Sequence, residues 1–169
     1  MKKQVRQGHM EGVLVLLLFA VFAGSLLLVL LTGAKSYRQV AQRGADSYDR
    51  RVCVQYIAAK VRHGDTAGNI FVGGFSDPAV DDGISTLYLR QVIEDVPYDV
   101  RIYCYDGAVR ELFAPAGEAF QPQDGDAVLP AEGLTFTQTN GLLSIEAEGG
   151  DGETSSLLLS LRSGEEAAA

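Results

Sequence analysis

Val13–Leu31 reads VLVLLLFAVFAGSLLLVLL, a run of 19 residues without a charged side chain that is interrupted only by Gly24 and Ser25. As a helix with a rise of 1.5 Å per residue, this run is about 28 Å long. The hydrocarbon core of a bilayer is about 30 Å thick, so the run predicts a transmembrane helix over residues 13–34. The alternative is a cleaved secretory signal peptide, although its apolar region usually has only about 7–15 residues.

Charge is distributed unevenly on either side of this region. The chain has 169 residues and a formal net charge of −8. Residues 1–62 carry 10 Lys/Arg and 3 Asp/Glu, whereas residues 63–169 carry 4 Lys/Arg and 19 Asp/Glu. The long acidic part excludes a basic nucleic-acid-binding domain, so we expect no nucleic acid partner. Two Cys and two His also exclude a disulfide scaffold and a Cys/His zinc module.

A short basic segment, residues 1–12, precedes the apolar run and contains Lys2, Lys3 and Arg6. Basic residues also follow the run, beginning with Lys35 and Arg38. Because Lys and Arg lie on both sides, their distribution does not set the orientation of the helix in the membrane.

The residues after the apolar run predict that the helix continues beyond the bilayer. No Pro occurs between residues 1 and 77. Small, apolar and aromatic side chains recur every three or four residues, which is the spacing of one helix face. They are Tyr37, Ala41, Gly44, Tyr48, Val52 and Tyr56. We predict a helix extension over residues 35–63; the alternative is two helices separated near Gly33 or Gly44.

After Gly64 the apolar residues alternate with polar ones, as they do in strands. Asp106-Gly107 and Asn140-Gly141 lie between such segments and favour two-residue hairpin turns. The sequence therefore predicts an antiparallel β domain over residues 64–162, with residues 115–130 as a loop and residues 163–169 as a disordered tail. The apolar face of an antiparallel sheet needs a cover, and the helix around residues 48–62 supplies it. The predicted fold class is α+β.

Two parts of the chain resemble type IV pilins and minor pseudopilins. One is the basic leader Met1–Gly8, followed by Glu11 and the apolar run; the other is the hairpin segment Tyr98–Phe113. This resemblance implies a pilin-like fold, with the long helix packed on the sheet. It also implies a subunit of a type IV pilus or type II secretion-like filament, whose partners are the lipid bilayer and other pilin-like subunits. The acidic domain would then lie outside the cytoplasm.

Three stretches also resemble a bacterial family, domain of unknown function 4860. They are Glu11–Ala34, Arg51–Asp65 and Arg101–Phe113. This second resemblance implies no activity.

The pilin resemblance assigns roles to residues near the membrane. Gly8 and His9 would flank a prepilin processing site, although Glu11 is the third residue after Gly8, whereas pilins have a Glu at the fifth position. A retained N-terminus is the alternative. Glu11 would pair with the amino terminus of a neighbouring subunit, or else be solvated at the membrane interface. Ala20 and Gly24, four residues apart, would allow close helix contact, although small residues are common in membrane helices.

The two cysteines form a second candidate feature. Cys53 lies in the apolar part of the helix extension, and Cys104 shares a strand face with Val100 and Ile102. A disulfide that pins the helix to the sheet is one interpretation if the domain is extracytoplasmic. Two buried free thiols are the other. The opposite strand face, with Arg101 and its neighbours, is expected to face water.

No catalytic or metal-binding motif is evident. The acidic residues of the domain lack the spacing of a calcium loop and are interpreted as turn residues. They are Asp77, Asp81, Asp82, Asp124 and Asp126. Phosphate-binding glycine loops and the common hydrolase motifs are missing from the sequence. We therefore expect no catalytic residue, cofactor or metal, and a structural subunit rather than an enzyme. The alternative is a single-pass anchored extracytoplasmic module that binds an unknown ligand.

Overall fold

The computed structural model describes residues 4–66 and 68–162. The chain divides into two compact units, Met1–Gly44 and Ala45–Ala169. Helix α1 (Gln4–Gly64) includes Gly33 and Gly44, so the predicted single helix is confirmed and the alternative of two helices is not. Arg62 and His63 occupy its last turn, where cations interact favourably with the helix dipole.

In the part of the second unit that the structure describes, eight strands form two antiparallel sheets. The five-stranded sheet has the order β1-β2-β3-β4-β5, and the three-stranded sheet has the order β6-β7-β8. A short 3-10 helix, Pro122–Asp124, precedes β5. The strands are β1 (Ile70–Gly73), β2 (Thr86–Ile93), β3 (Val96–Tyr105), β4 (Ala108–Pro115), β5 (Asp126–Pro130), β6 (Gly133–Thr139), β7 (Leu142–Glu148) and β8 (Thr154–Ser160).

The α+β class is confirmed, and one detail of the expected β domain is wrong. Residues 115–130 are not all loop, because β5 occupies their last part and pairs with β4. A shift in the pairing register between Val109 and Arg110 accommodates this short strand.

The main core of the second unit lies between α1 and one face of each sheet. The last turns of α1 contribute a buried apolar face, and the strands contribute mainly Leu, Ile and Val. From α1 come Cys53, Val54, Ile57, Ala58 and Val61; from the five-stranded sheet Leu87, Leu89, Ile102 and Val109; and from the three-stranded sheet Phe136, Leu143, Ile145 and Leu159. The expected cover of the sheet by the helix is therefore present.

A second, smaller core lies on the other face of the five-stranded sheet. It consists of Phe75, Tyr103, Leu112 and Ala114, with the partly buried Ile84 and Phe120 packed against it. The expectation that this face is wet is wrong. Segments 74–85 and 116–125 fold over it, and their aromatic side chains replace water there.

Two-residue turns with positive φ values join the strands of three hairpins, β2–β3, β3–β4 and β6–β7. Asp106 and Gly107 have φ values of 52° and 70°, and Asn140 and Gly141 have 50° and 75°. Two successive positive φ values characterise the type I′ turn, whose twist matches that of the flanking strands. Glu94 and Asp95 form the β2–β3 turn with φ values of 50° and 63°, although neither residue is glycine.

Candidate functional site

The first unit contains a helical segment, Gly12–Ala41, in which every residue is exposed and whose most apolar part has a mean hydropathy of 3.1. Every large apolar side chain from Val13 to Leu31 is at least 50% exposed. The hydroxyls of Ser25 and Thr32 donate to the carbonyls of Phe22 and Leu28 at 2.7 and 2.8 Å. Such internal hydrogen bonds satisfy polar groups that lipid cannot solvate. The segment is compatible with a single membrane anchor.

Ala20 and Gly24 lie one above the other on this segment and are exposed. A Cβ atom built at Gly24 meets nothing within 4 Å, so the space beside this glycine is open. The backbone of Gly8, His9 and Glu11 belongs to α1, but their side chains lie outside the described residues. Processing at Gly8 and the contact through Glu11 therefore stay predictions.

Two ion pairs of the described residues tie the second half of α1 to the β domain, one to a strand and one to a turn. Glu111 on β4 accepts hydrogen bonds from Tyr56 Oη at 2.5 Å and from Lys60 Nζ at 2.7 Å. The hydrogen bond that Lys60 donates to Glu111 raises the pKa of Lys60, whereas burial, together with the bond to Glu111, raises the pKa of Tyr56. Arg50 pairs with Asp151 in the β7–β8 turn. These contacts fix helix against sheet.

Arg101 on β3 is 3% exposed and lies within the second core. Its Nη1 and Nη2 atoms donate to the carbonyls of Phe75 and Glu118 at 3.2 and 2.8 Å. Its guanidinium carbon lies 5.6, 5.7 and 5.6 Å from the ring centroids of Phe75, Tyr88 and Phe120. Among the described residues, Arg101 Nε has no hydrogen-bond acceptor. The cation therefore joins two loops to the sheet through carbonyl oxygens and aromatic rings.

Asp82 organises the loop between β1 and β2. Its carboxylate accepts hydrogen bonds from the amides of Phe75, Ser76 and Ile84 at 3.0, 2.7 and 3.2 Å. Burial opposes its ionisation, but the hydrogen bonds outweigh this effect and lower its pKa to about 2. Asp77 likewise accepts a hydrogen bond from a nearby loop amide. These contacts agree with the interpretation of the loop acids as turn residues.

Cys53 and Cys104 are both free thiols, and both belong to the main core or pack against it. Burial, with a smaller contribution from Cys104, raises the pKa of Cys53 to about 11. Burial also raises the pKa of Cys104, whose Sγ donates to the carbonyl of Ala131 at 3.3 Å. The structure brings the two residues into one neighbourhood, while the disulfide between them stays a prediction.

Two open clefts lie on the surface of the second unit. The larger cleft, of about 440 Å³, lies under the β1–β2 loop and is lined by Gly73, Pro78 and Val80 among others. Another, of about 330 Å³, lies beside Cys104 between the β3–β4 turn and β6. Across residues 4–66 and 68–162, no group of three or more His, Cys, Asp or Glu side chains could hold a metal ion.

Sequence reasoning missed two of these features. Arg101 alternates with Val100 and Ile102, and this pattern assigned it to a wet face. Glu111 has no local signal at all, because its partners Tyr56 and Lys60 lie more than fifty residues earlier.

Comparison with known proteins gives one assignment. No curated protein and no solved structure matches the chain. A model of one family, Domain of unknown function (DUF4860), matches residues 48–150, which is more than half of the chain and contains the end of α1 and strands β1 to β7. The chain therefore belongs to the family Domain of unknown function (DUF4860).

Proposed function

We propose that the chain is a membrane-anchored, pilin-like structural subunit, of the minor pseudopilin kind, in a type IV pilus or type II secretion-like filament. The observation that carries this proposal is helix α1. The Gly12–Ala41 segment of this helix is exposed and largely apolar. The last turns of the same helix contribute to the core of a β domain. A helix of this kind can hold the chain in a bilayer and also present an apolar surface to neighbouring subunits.

In this proposal the acidic β domain lies outside the cytoplasm and is not an enzyme. The proposal that the domain is not an enzyme is supported by the contacts of Glu111, Asp82 and Arg101. Each of these side chains forms hydrogen bonds that connect a loop or the helix to the sheet or that hold a loop in place. The partners are the lipid bilayer and other pilin-like subunits, which contact the strip of small residues at Ala20 and Gly24.

Crosslinking in native membranes tests the helix contact. A photo-crosslinking residue at position 20 should capture proteins that have a short basic leader and an apolar N-terminal helix. Gly24→Leu should reduce this capture several-fold, because small residues allow membrane helices to approach closely. Gly33→Leu is the matched control, since nine residues along a helix place it about 180° away from Gly24. Recovery of uncrosslinked monomer only would contradict the proposal.

The mass of the mature protein tests the processing step. A chain that begins at His9 supports cleavage of the prepilin kind. A chain that begins near Lys35 shows that the apolar segment is a secretion signal, which contradicts the proposal. An intact Met1 favours a plain membrane anchor.

One observation favours the second candidate, an anchored extracytoplasmic binding module. Ile93, Val96 and Phe113 are 44%, 44% and 51% exposed at the β2–β3 end of the five-stranded sheet. Tyr98 stacks on Phe113 with ring centroids 5.2 Å apart. In full-length protein, Phe113→Ser should abolish ligand or partner recruitment under this candidate, whereas it should leave helix-mediated crosslinking unchanged under the first.

A further inference from the structure

Lys35 and Arg38 form a basic pair just beyond the apolar run of α1. They follow Leu31, the last residue of that run, by four and seven residues, which corresponds to a rise of about 6 and 10 Å along the helix. Residues three positions apart are neighbours on one helix face, and both side chains are exposed. The pair therefore presents two adjacent positive charges to its surroundings.

The helix around this pair supplies no carboxylate. Residues 12–45 contain neither Asp nor Glu, and their basic residues are Lys35, Arg38 and Arg43. The side chains that a helical residue can reach lie three or four positions away, and none of these positions is acidic for either cation. The ion pairs between described residues also involve neither of them. Their positive charge is therefore available to an anion from outside the chain.

The position of the pair matches the headgroup layer of a bilayer. Since the hydrocarbon core is about 30 Å thick and the whole bilayer about 40–45 Å, each headgroup layer is about 5–8 Å thick. A span that ends at Leu31 places the Cα atom of Lys35 in this layer and that of Arg38 just beyond it. The Cα–Cβ bonds of a helix tilt towards its N-terminus, which at this end of the span is the direction of the lipid. Long basic side chains also extend to the headgroups in this way.

We propose that Lys35 and Arg38 are a binding surface for the headgroups of anionic phospholipids in the leaflet at the C-terminal end of the span. This inference rests on the proposed membrane location and adds the class of lipid to it. A zwitterionic headgroup also has a phosphate, but its ammonium group offsets the attraction. Each basic residue close to an anionic membrane surface adds a several-fold preference. Tyr37, which is 77% exposed, belongs to a residue type that is enriched at this interface.

The competing partner for the two cations is the acidic part of another chain. Residues 63–169 carry 4 Lys/Arg and 19 Asp/Glu, so this region also attracts positive charge. The position of the pair, about one turn beyond the apolar run, favours the lipid. Contact with another chain is therefore an outcome that the test must distinguish.

The test uses the full chain in nanodiscs that contain phosphatidylcholine and phosphatidylglycerol in equal amounts. A photo-crosslinking residue at position 34 adjoins Lys35 and lies one turn before Arg38, and mass spectrometry identifies what it captures. We expect phosphatidylglycerol to exceed phosphatidylcholine several-fold among the adducts at low ionic strength. The excess should fall in about 1 M salt, because salt screens exposed charges.

Lys35→Gln combined with Arg38→Gln should bring the captured lipids to the composition of the nanodisc. Arg51→Gln combined with Arg62→Gln is the matched control. It removes the same charge from exposed positions of α1 that lie at least 20 residues beyond Leu31, so it should preserve the excess of phosphatidylglycerol. All four side chains are exposed, so both double variants should retain the circular dichroism spectrum of the native chain.

Different failures identify different errors. Adducts that match the nanodisc composition, or an excess that survives Lys35→Gln with Arg38→Gln, would overturn the lipid preference and leave the membrane location intact. Capture of an acidic segment of another chain in place of lipid would assign the pair to contacts between chains and would equally overturn the inference. A chain that does not enter nanodiscs at all would contradict the membrane location, and this binding surface with it.

Discussion

Arg101 is the residue whose environment departs most from its sequence pattern. Replacing it with Ala removes hydrogen bonds to two carbonyls and leaves a void among three aromatic rings. We expect Arg101→Ala to lower the free energy of unfolding by about 3 kcal/mol and Arg101→Lys by about 1–2 kcal/mol, since Lys retains the charge but not the planar fork. Urea denaturation of the full chain in detergent, followed by circular dichroism, measures both.

Arg51→Ala, on the exposed side of α1, provides the control for this series. We expect it to change the free energy of unfolding by less than about 0.5 kcal/mol. Equal losses at the two positions would show that Arg101 does not hold the loops on the sheet.

Asp82 should make the free energy of unfolding depend on pH in the acidic range. Its pKa is lowered from 3.8 to about 2 in the folded chain, so the folded state favours the ionised carboxylate. Its contribution is therefore fully present above the ordinary value and is lost as the pH falls toward 2. The native chain should lose free energy of unfolding as the pH falls through this interval, and Asp82→Asn should lose less, because it has no carboxylate to protonate at this position. Urea midpoints at successive pH values measure both losses. Asp106→Asn, in an exposed hairpin turn, should retain the acid sensitivity of the native chain.

At the scale of single residues, the sequence is a better guide to the buried face of the helix than to the buried faces of the strands. Cys53 and Ile57 lie on a wide apolar surface that no aqueous helix would leave exposed. Arg101 and Tyr103 lie on a face whose cover comes from distant loops, so alternation alone assigned them to water. Only Phe75 and Phe120, two isolated aromatic residues in loop segments, could have indicated a second core.

The β2–β3 turn carries more backbone strain than the turns at Asp106-Gly107 and Asn140-Gly141, each of which has only one non-glycine residue at positive φ. Glu94 and Asp95 both have positive φ values, which side chains with a Cβ atom rarely adopt. We expect Asp95→Gly to raise the free energy of unfolding by about 0.5–1 kcal/mol, because glycine adopts this conformation without the steric cost. The reverse change in a comparable turn, Gly107→Ala, should lower it by about 1–2 kcal/mol. Thermal and urea unfolding check both signs, and the same sign at both turns would contradict the explanation.

At the scale of elements, the residues of the turns decide which strands can be predicted from the sequence. Asp106-Gly107 and Asn140-Gly141 mark two hairpins directly, because these residue pairs suit type I′ turns. Strand β5 was missed because Pro, Gly and acidic residues surround it, and its pairing with β4 depends on the register shift at Val109. The division into two sheets also lacks a local signal, since it depends on which distant strands pair.

At the scale of the whole molecule, the two units differ in how much the sequence alone determines. The first unit depends on length and hydropathy, both of which are local properties, and the apolar segment was predicted from them. The second depends on contacts between residues far apart in sequence, such as those in the main core. The fold class of the second unit can be predicted from the alternation of apolar and polar residues, whereas the contacts of its loops cannot.

Membrane anchoring gives the last prediction. Replacing Val21 and Leu27 with Lys puts two charges near the middle of the Gly12–Ala41 segment, at a cost of about 3 kcal/mol each for membrane insertion. We expect the native chain to stay with membranes after alkaline carbonate extraction and the double variant to be largely released. Val92→Lys with Leu158→Lys adds the same charge to exposed strand positions and should leave the chain in the membrane fraction. If the native chain is itself extracted by carbonate, the segment does not span a bilayer, since an inserted helix leaves it only when the lipid is dissolved.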